Sequence, residues 1–365
     1  MNPITRRLHE MGQRIWLDNI TRQLLQSGTL ARYISDLSVT GLTSNPTIFE
    51  QAFGSGDSYD MAIGLGAAQG FSDEDLFFEL ALQDLTQAAD LFRPTFDSTR
   101  GADGWVSLEV SPLLANDSTS TIKAVRGLHA RAARPNLFIK IPGTPQGIPA
   151  IEQSIFDGVP INVTLLFSRE HYIAAAEAYL RGVERRMAAG LDPGIESVAS
   201  LFVSRWDVAV KDETSPKLQN RLGLAVAAQT FKAYRELLDS HRWRKLASAG
   251  ARPQRLLWAS TGTKDPAAQD TLYVEALAAA GTINTIPEKT LLAFADHGHI
   301  GPSLPADGGD SEAVLQEFRQ GGIDDQAPAA RLQREGVEAF ASSWSGLMAK
   351  IREKRPKTQT TQALP

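Results

Sequence analysis

Eight short apolar segments, separated by longer amphipathic ones, are the feature that most constrains the fold of this 365-residue chain. Each segment holds four to seven residues rich in Val, Ile, Leu or aromatic side chains. Apolar runs without strict alternation are typical of parallel strands that are buried on both faces. The predicted strands are Arg14–Leu17, Val39–Thr43, Trp105–Val110, Asn136–Ile141, Ile161–Leu166, Ser197–Val203, Arg255–Ala259 and Thr282–Ile286.

Helical patterns fill the gaps between these strands. Ser72 is placed to cap a helix that we expect to end before Pro94. Because eight strands alternating with helices can close a (β/α)8 barrel, we predict an α/β TIM barrel with helical insertions and a C-terminal helix. A doubly wound open sheet is the rival, but the sequence lacks the Gly-rich phosphate loop such a sheet would carry after an early strand. Further helices are predicted at Arg169–Met187, Leu218–Leu238 and Ala330–Ile351.

The domain organisation follows from the barrel. A length of 365 residues is typical of two domains, yet a single α/β barrel with insertions can also be this long. We therefore expect a single catalytic domain over residues 1–354. Within it, residues 296–330 form an excursion, a loop with a short helix near Glu312–Phe318, and the Gly-rich stretch 54–70 is a helix–loop decoration. The polar end, residues 355–365, is predicted to be a flexible tail.

Composition narrows the functional classes. The formal net charge of −5 argues against a nucleic-acid partner, although a local basic pocket for a phosphate remains compatible with it. With no cysteine, the chain has no disulfide, no Cys-ligated metal and no thiol nucleophile. No apolar run approaches the roughly 20 residues of a membrane helix, and no signal-peptide core follows the first residues. We expect a cytoplasmic protein without a membrane partner.

Polar or ionisable side chains lie in or just after six of the apolar strands. In a barrel these positions point toward the C-terminal mouth, where barrel enzymes place their reacting groups. Because a buried polar group costs free energy unless it is paired, the whole set indicates an active site. Its members are Asp18, the segment 43–46, Ser107, Glu109, Lys140, Asn162, Thr164, Ser200, Ser204 and Arg205.

Lys140 is the most informative of these residues, since it stands between Ile139 and Ile141. A desolvated lysine amine can be neutral near pH 7 and can attack a carbonyl carbon to give a Schiff base. The alternative is an edge-strand lysine that reaches water, or a buried lysine in a structural ion pair. Asp18 and Glu109 are the candidate acid/base carboxylates, although Asp18 could simply cap a helix and Glu109 could be the ion-pair partner of Lys140.

Two cations beyond the later strands suit a phosphate. Arg205 follows the sixth strand with hydroxyl residues beside it, and a guanidinium fork matches phosphate oxygens. Lys264, in the segment Ser260–Lys264 after the seventh strand, is a second candidate at a helix start. The alternative for both is a surface cation beside a plain turn.

Several of these segments together resemble the transaldolase family. The segments are Gly41–Phe49, Ile139–Gly147 and Ile161–Ser168, and Ser107–Val110 and Ser197–Arg205 fall in the matching order. The likeness covers roughly Ile15 to Pro287, and the joint presence of the segments is highly specific. The form Trp16-Leu17-Asp18-Asn19 is similar to the longer branch of that family.

The resemblance implies a (β/α)8 barrel that uses neither a metal nor an organic cofactor. It also implies the pentose phosphate pathway reaction that moves a dihydroxyacetone unit from sedoheptulose 7-phosphate to glyceraldehyde 3-phosphate, giving erythrose 4-phosphate and fructose 6-phosphate. Carried over by motif, Lys140 forms the Schiff base, Asp18 takes the C4 hydroxyl proton, and Glu109 with Thr164 holds the water that shuttles protons. The residues implied in substrate binding are Asn45, Thr43, Ser200, Asn162 and the phosphate residue Arg205.

One departure and two alternatives remain. Compact members of the family carry a second phosphate arginine after the seventh strand, where this chain offers Lys264, a point charge rather than a fork. A fructose 6-phosphate aldolase that releases free dihydroxyacetone is the first alternative, and Glu109 favours transfer over it. A non-catalytic sugar-phosphate-binding barrel is the second, but it predicts loss of Lys140, Asp18 or Glu109. Family members are often dimers, so monomer and homodimer both stay open.

Overall fold

The computed structural model describes residues 1–324 and 326–355, and its core is a closed barrel of eight parallel strands in chain order. The last strand pairs with the first, so the sheet has no free edge. The predicted (β/α)8 barrel is therefore confirmed. The strands are β1 Arg14–Asp18, β2 Val39–Thr43, β3 Val106–Glu109, β4 Leu137–Pro142, β5 Ile161–Leu166, β6 Ser197–Phe202, β7 Gln254–Ala259 and β8 Ile283–Ile286.

Helices follow the strands and cover the outer face of the barrel, where their apolar sides form one continuous core with it. Short 3₁₀ turns lie at Pro112–Leu114, Lys211–Glu213 and Pro216–Leu218. The α-helices of the described residues are α1 Pro3–Met11, α2 Arg22–Gln26, α3 Thr29–Asp36, α4 Pro46–Gly54, α5 Asp60–Ala68, α6 Asp73–Ser98, α7 Ser118–Ala132, α8 Gly147–Phe156, α9 Arg169–Ala188, α10 Ser204–Ala209, α11 Leu222–Asp239, α12 His241–Ser248, α13 Leu272–Ala276, α14 Glu288–His297, α15 Ser311–Gln320 and α16 Gln326–Lys354.

Helix α6 departs from the prediction that it ends before Pro94. Ser72 caps it as expected, because its Oγ accepts a hydrogen bond from the Asp75 amide at 3.0 Å. The helix nevertheless continues through Pro94 to Ser98. The proline ring is exposed, and the turns around it are held by buried Phe92 and by Phe96, whose ring meets Trp105 edge-on at 5.2 Å. We infer that this aromatic packing outweighs the cost of an interior proline, about 3 kcal/mol.

The barrel interior is filled at mid-height by a layer of large apolar side chains. Trp105 stacks on Phe138 with ring centroids 4.0 Å apart, and Trp16 lies 6.1 Å from Phe138. Gly41 makes room for this layer, since a Cβ atom there would lie only 2.7 Å from Nε1 of Trp16. The layer is a solid floor beneath the carboxyl ends of the strands, as expected for a barrel of eight strands.

A group of charged residues closes the opposite, amino-terminal end of the barrel. Asp103 accepts a hydrogen bond from Nε1 of Trp16 at 3.0 Å and lies 3.4 Å from Nε of Arg14. Glu196 is buried, with its Oε1 3.7 Å from Nε of Arg252. Burial raises the pKa of Glu196 from 4.5 to about 7, although Arg255 and Arg252 oppose the rise. This end of the barrel therefore contains a carboxyl group that titrates near neutrality.

The last third of the chain supplies two further elements. The helix predicted near Glu312–Phe318 is α15, which packs against α11 through buried Leu315 and Phe318. Helix α16 contains the predicted segment Ala330–Ile351 and packs along α4, which follows β2. Of the predicted tail, only Arg355 falls within the described residues. No helix in the described part of the chain has the length and apolar character needed to cross a bilayer.

The raised pKa of Glu196 predicts a pH-dependent effect of Glu196→Gln. Between pH 4.5 and about 7 the folded state binds more protons than the unfolded one, so the free energy of unfolding falls as pH rises. Glutamine has no proton to lose, so the stability gain of the variant over the parent should grow by about 2 kcal/mol from pH 5 to pH 8. Urea unfolding at both pH values measures it. The exposed Glu236→Gln is the control, and an equal gain at both pH values would contradict the assignment.

Candidate active site

Strand register brings the predicted polar residues together at the carboxyl end of the barrel. Asp18 pairs with Thr43 across β1 and β2, and Glu109 pairs with Lys140 across β3 and β4. Asn162 is the partner of Lys140 on β5. Because alternate residues of parallel strands point to the same side, these side chains all face the barrel interior above the apolar layer.

Above them lies a cavity of about 320 Å³ that opens to the mouth. Of the residues predicted to act in catalysis or substrate binding, Glu109 and Asn162 are not in its lining but contact Lys140 and Ser200, which are. Ser44, Pro46, Ser107 and Ser204 of the wider polar set also lie outside the lining. The structure thus gathers in one place residues separated by up to 246 positions between Asp18 and Lys264. The predicted residues that line it are Asp18, Thr43, Asn45, Lys140, Thr164, Ser200, Arg205 and Lys264.

Lys140 is 5% exposed, and the exposed part faces the cavity. Its Nζ donates a hydrogen bond to the backbone carbonyl oxygen of Ser44 at 2.9 Å and lies 3.2 Å from Oε2 of Glu109. Both contacts hold the amine at the cavity floor. The alternative of an edge-strand lysine that reaches bulk water is therefore excluded, and an ion pair with Glu109 is present in the described state.

Glu109 is a buried carboxyl group with unused hydrogen-bonding capacity. It is 4% exposed, and neither of its oxygens has a hydrogen-bond partner among the described residues, although Lys140 is at ion-pair distance. The Oγ1 atom of Thr164 is likewise buried without a partner in the described part of the chain. Burial raises the pKa of Glu109, opposed chiefly by the charge of Lys140. The group can therefore hold or release a proton beside the amine.

Asp18 is held by hydroxyl groups. Its Oδ1 accepts a hydrogen bond from Thr43 at 2.7 Å, and Thr43 lies 2.6 Å from the hydroxyl of Thr285. Burial raises the pKa of Asp18, opposed by the Thr43 hydrogen bond and by the charges of Lys140 and Lys264. The carboxylate is thus a stronger base than a solvated aspartate, and it faces the same cavity as Lys140.

The remaining polar residues form short chains around the amine. Ser200 donates to Oδ1 of Asn162 at 2.7 Å, and Asn162 donates to Oγ of Ser107 at 3.2 Å. Asn45 caps helix α4, since its Oδ1 accepts a hydrogen bond from the Ile48 amide at 2.9 Å. Its amide nitrogen makes no hydrogen bond to the described residues, so Asn45 can both cap the helix and donate into the cavity.

Arg205 lies in the first turn of helix α10 and lines the cavity. Its guanidinium lies 5.2 Å from the ring centroid of Phe202 and 5.9 Å from that of Phe340. Burial lowers the pKa of Arg205, partly offset by Glu109 and Glu335. Lys264 lines the same cavity from the loop after β7. The mouth therefore carries two cations, which suits an anionic ligand.

Sequence reasoning missed several lining residues. Thr285 lies in strand β8, so extending the strand-end rule to this last strand would have found it, whereas Ser260 belongs to the predicted phosphate segment Ser260–Lys264. Gln51 comes from helix α4 just beyond the recognised segment Gly41–Phe49, and Thr47 lies within that segment but was assigned no role. Phe340 belongs to α16, and no local pattern marks it, because only the packing of that helix over the mouth brings it to the cavity.

The titratable side chains of the described residues do not converge on a metal site. Among residues 1–324 and 326–355 there is no group of three or more His, Asp or Glu side chains that could hold a metal ion.

The chain is similar to known proteins over nearly its whole length. The family model described as Transaldolase/Fructose-6-phosphate aldolase matches residues 15–351. A Transaldolase of Parafrankia sp. (strain EAN1pec) is 42% identical over 355 residues, covering 95% of this chain and 96% of that protein. One of Thermobifida fusca (strain YX) is 44% identical and covers 94% and 96%. One of Thiobacillus denitrificans is 42% identical and covers 95% and 99%.

The contact between Thr43 and Asp18 predicts the effect of Thr43→Val. Loss of a hydrogen bond to a carboxylate costs the ionised form about 1.5 kcal/mol, so the pKa of Asp18 should rise by about one pH unit. Carbon-13 NMR of the aspartate carboxyl groups across a pH titration measures this. Thr47→Val, whose hydroxyl contacts Ser343 instead, should leave the Asp18 titration unchanged. An unchanged titration in Thr43→Val would show that the hydroxyl does not stabilise the carboxylate.

Proposed function

The chain belongs to the transaldolase and fructose-6-phosphate aldolase family, and on this premise we propose that it is a transaldolase. It is then a transferase that moves a dihydroxyacetone unit from sedoheptulose 7-phosphate to glyceraldehyde 3-phosphate in the pentose phosphate pathway. The observation that carries the proposal is the buried amine of Lys140, which shares one cavity with Asp18 and contacts Glu109.

The first step is imine formation at Lys140. The amine must be neutral to attack C2 of the ketose, and Glu109, 3.2 Å away, is the group that can take its proton. The resulting carbinolamine loses its C2 oxygen as water, which requires a proton to be delivered to that oxygen. We assign this delivery to Glu109 and a water held with Thr164. Oε1 of Glu109 and Oγ1 of Thr164 are buried without a hydrogen-bond partner among the described residues, which supports this role.

The second step breaks the bond between C3 and C4. Asp18 takes the proton of the C4 hydroxyl, the C4 oxygen forms the aldehyde of the leaving aldose, and the bonding electrons move into the protonated imine. The imine is the electron sink, so the cleavage needs no metal as Lewis acid in this mechanism. The raised pKa of Asp18 supports its role as the base, because a more basic carboxylate takes the proton more readily.

Transfer reverses the second step with a different aldehyde. The enamine on Lys140 stays bound while erythrose 4-phosphate leaves and glyceraldehyde 3-phosphate enters. Its carbon attacks the new aldehyde, Asp18 returns the proton to the oxygen, and hydrolysis of the imine releases fructose 6-phosphate. The buried position of the amine supports transfer over release of free dihydroxyacetone, since bulk water has little access to protonate the enamine.

Substrate binding is assigned to the polar lining. Asn45, Ser200 and Asn162 bind the hydroxyl groups of the donor, and Thr43 shapes the site around Asp18. Arg205 and Lys264 bind the phosphate at the mouth, with Arg205 as the bidentate partner. The two cations of the cavity support this assignment.

The proposal extends to the organisation of the protein. We take residues 1–354 as one catalytic domain whose ligands are sugar phosphates, with no nucleic acid. The net charge of −5 supports the latter point. We further propose that it works in the cytoplasm as a monomer or homodimer.

Borohydride trapping tests the role of Lys140. Reduction in the presence of fructose 6-phosphate should leave a dihydroxyacetone adduct on Lys140, because the reduced imine cannot hydrolyse. Peptide mass mapping locates it. Lys140→Met should give no adduct and no turnover, whereas Lys264→Met keeps the amine and should still be labelled on Lys140. An adduct on Lys264 or Lys123 in the parent protein would overturn the assignment.

A second experiment separates transfer from simple cleavage. With fructose 6-phosphate alone, a transaldolase should release dihydroxyacetone only slowly, because the enamine waits for an acceptor. Adding erythrose 4-phosphate should restore rapid turnover and produce sedoheptulose 7-phosphate. Chromatography of both products measures the ratio. Sustained dihydroxyacetone release without an acceptor, at a rate equal to that of transfer, would instead assign the chain to the aldolase alternative.

A further inference from the structure

Helix α16 forms the outer wall of the cavity and is fixed to the barrel mouth by polar contacts. Gln333 donates from Nε2 to the carbonyl oxygens of Gly143 at 3.0 Å and Leu165 at 2.9 Å, just beyond β4 and within β5. Farther along, Ser343 and Thr47 form a hydroxyl pair at 2.9 Å. Phe340 lies between these two anchors and lines the cavity. Its ring position is therefore set by a helix tied down on both sides.

Helix α16 runs beside Arg205 at the mouth of the cavity. Residue 336 is a glycine, and a Cβ atom there would lie 3.5 Å from Nη1 of Arg205 and 3.0 Å from Cδ2 of Leu165. The small residue avoids a tight contact with Leu165 where the helix runs beside Arg205, and Phe340, one turn later, places its ring 5.9 Å from the cation. Phe202, on β6, approaches the same cation at 5.2 Å.

The guanidinium is held without using its hydrogen-bond donors. No ion pair or hydrogen bond joins Arg205 to any residue that the structure describes. A cation removed from water is usually compensated by a carboxylate, which would occupy the same N–H groups that a phosphate needs. Glu109 and Glu335 partly offset the burial of the Arg205 charge without contacting it, and the two aromatic faces add to this through their quadrupoles while leaving the five donors free. Arg205 is therefore oriented yet available.

We propose that Phe340 is a positioning residue for Arg205, so that recognition of the substrate phosphate depends on the C-terminal helix. The identity of the substrate rests on the proposed function, whereas the effect on a phosphate group does not. In this arrangement Phe340 contributes through its ring electrons and not merely by filling space. Substitutions that keep its shape but weaken the ring quadrupole should therefore weaken phosphate binding.

A fluorination series tests this. Phe340 is replaced by mono-, di- and trifluorinated phenylalanine, which progressively remove the negative face of the ring with little change in size. Calorimetric titration of inorganic phosphate into each protein gives Kd. A partly buried cation–π contact is worth about 1 kcal/mol, so Kd should rise progressively to about fivefold across the series. A Kd that stays flat with fluorination, or a parent protein that binds no phosphate, would overturn the proposal.

Kinetics supply the second readout. Phe340→Leu should raise KM for phosphorylated acceptor aldehydes by a similar factor, while kcat/KM for a non-phosphorylated aldehyde such as glyceraldehyde stays near that of the parent. Phe318→Leu, which removes a buried aromatic side chain from α15 away from the cavity, is the matched control and should change neither. Equal losses with both kinds of acceptor in Phe340→Leu would show a merely structural role.

The two proposals fail differently. A parent protein that binds phosphate but does not turn over fructose 6-phosphate overturns the transaldolase assignment and leaves the calorimetric test of Phe340 intact. If the parent protein has full transaldolase activity but fluorination of Phe340 leaves the phosphate Kd unchanged, only the positioning role is overturned.

Discussion

The contact between Lys140 and Glu109 at the floor of the cavity is the interaction on which the rest of this molecule depends. Taking an ammonium and a carboxylate out of water costs several kcal/mol for each ion, and their attraction repays the cost only when geometry is well defined. Adjacent strands β3 and β4 supply that geometry directly, because the two residues are register partners. The incomplete hydrogen bonding of Glu109 means that the pair is not optimised for stability. In the proposed mechanism, this compromise leaves Glu109 able to exchange protons with the amine.

The layered interior explains how a barrel tolerates this cost. The layer of Trp16, Trp105 and Phe138 separates Lys140 and Glu109 from the charged residues at the amino-terminal end. The charged groups at the two ends of the barrel are thus kept from forming ion pairs with one another. Closure of the sheet also gives hydrogen-bond partners to backbone groups that an open edge would expose. The closed barrel and its helices therefore supply stability, and the candidate site occupies only the carboxyl end of the strands.

The strands and most of the site could be predicted because both leave local signals. A parallel strand buried on both faces is a continuous apolar run, and an ionisable residue inside such a run, as at Lys140, is conspicuous. The predicted end of helix α6 was wrong because only the local effect of Pro94 was considered. Packing of Phe96 onto Trp105 lets the helix continue to Ser98. Phe340 could not be found, since its place depends on how α16 crosses the mouth. The roles of the site residues remain predictions that rest on motif resemblance and on the geometry that accompanies it.

The position of α16 in the chain has a consequence for biosynthesis. The ring of strands can close once residue 286 has left the ribosome, but the helix that covers its mouth extends to residue 354. Since chains fold progressively from the amino terminus during translation, a nascent barrel passes through a stage in which the lysine pocket lacks its outer wall. The contact between Arg205 and Phe340 then forms after the ring of strands has closed.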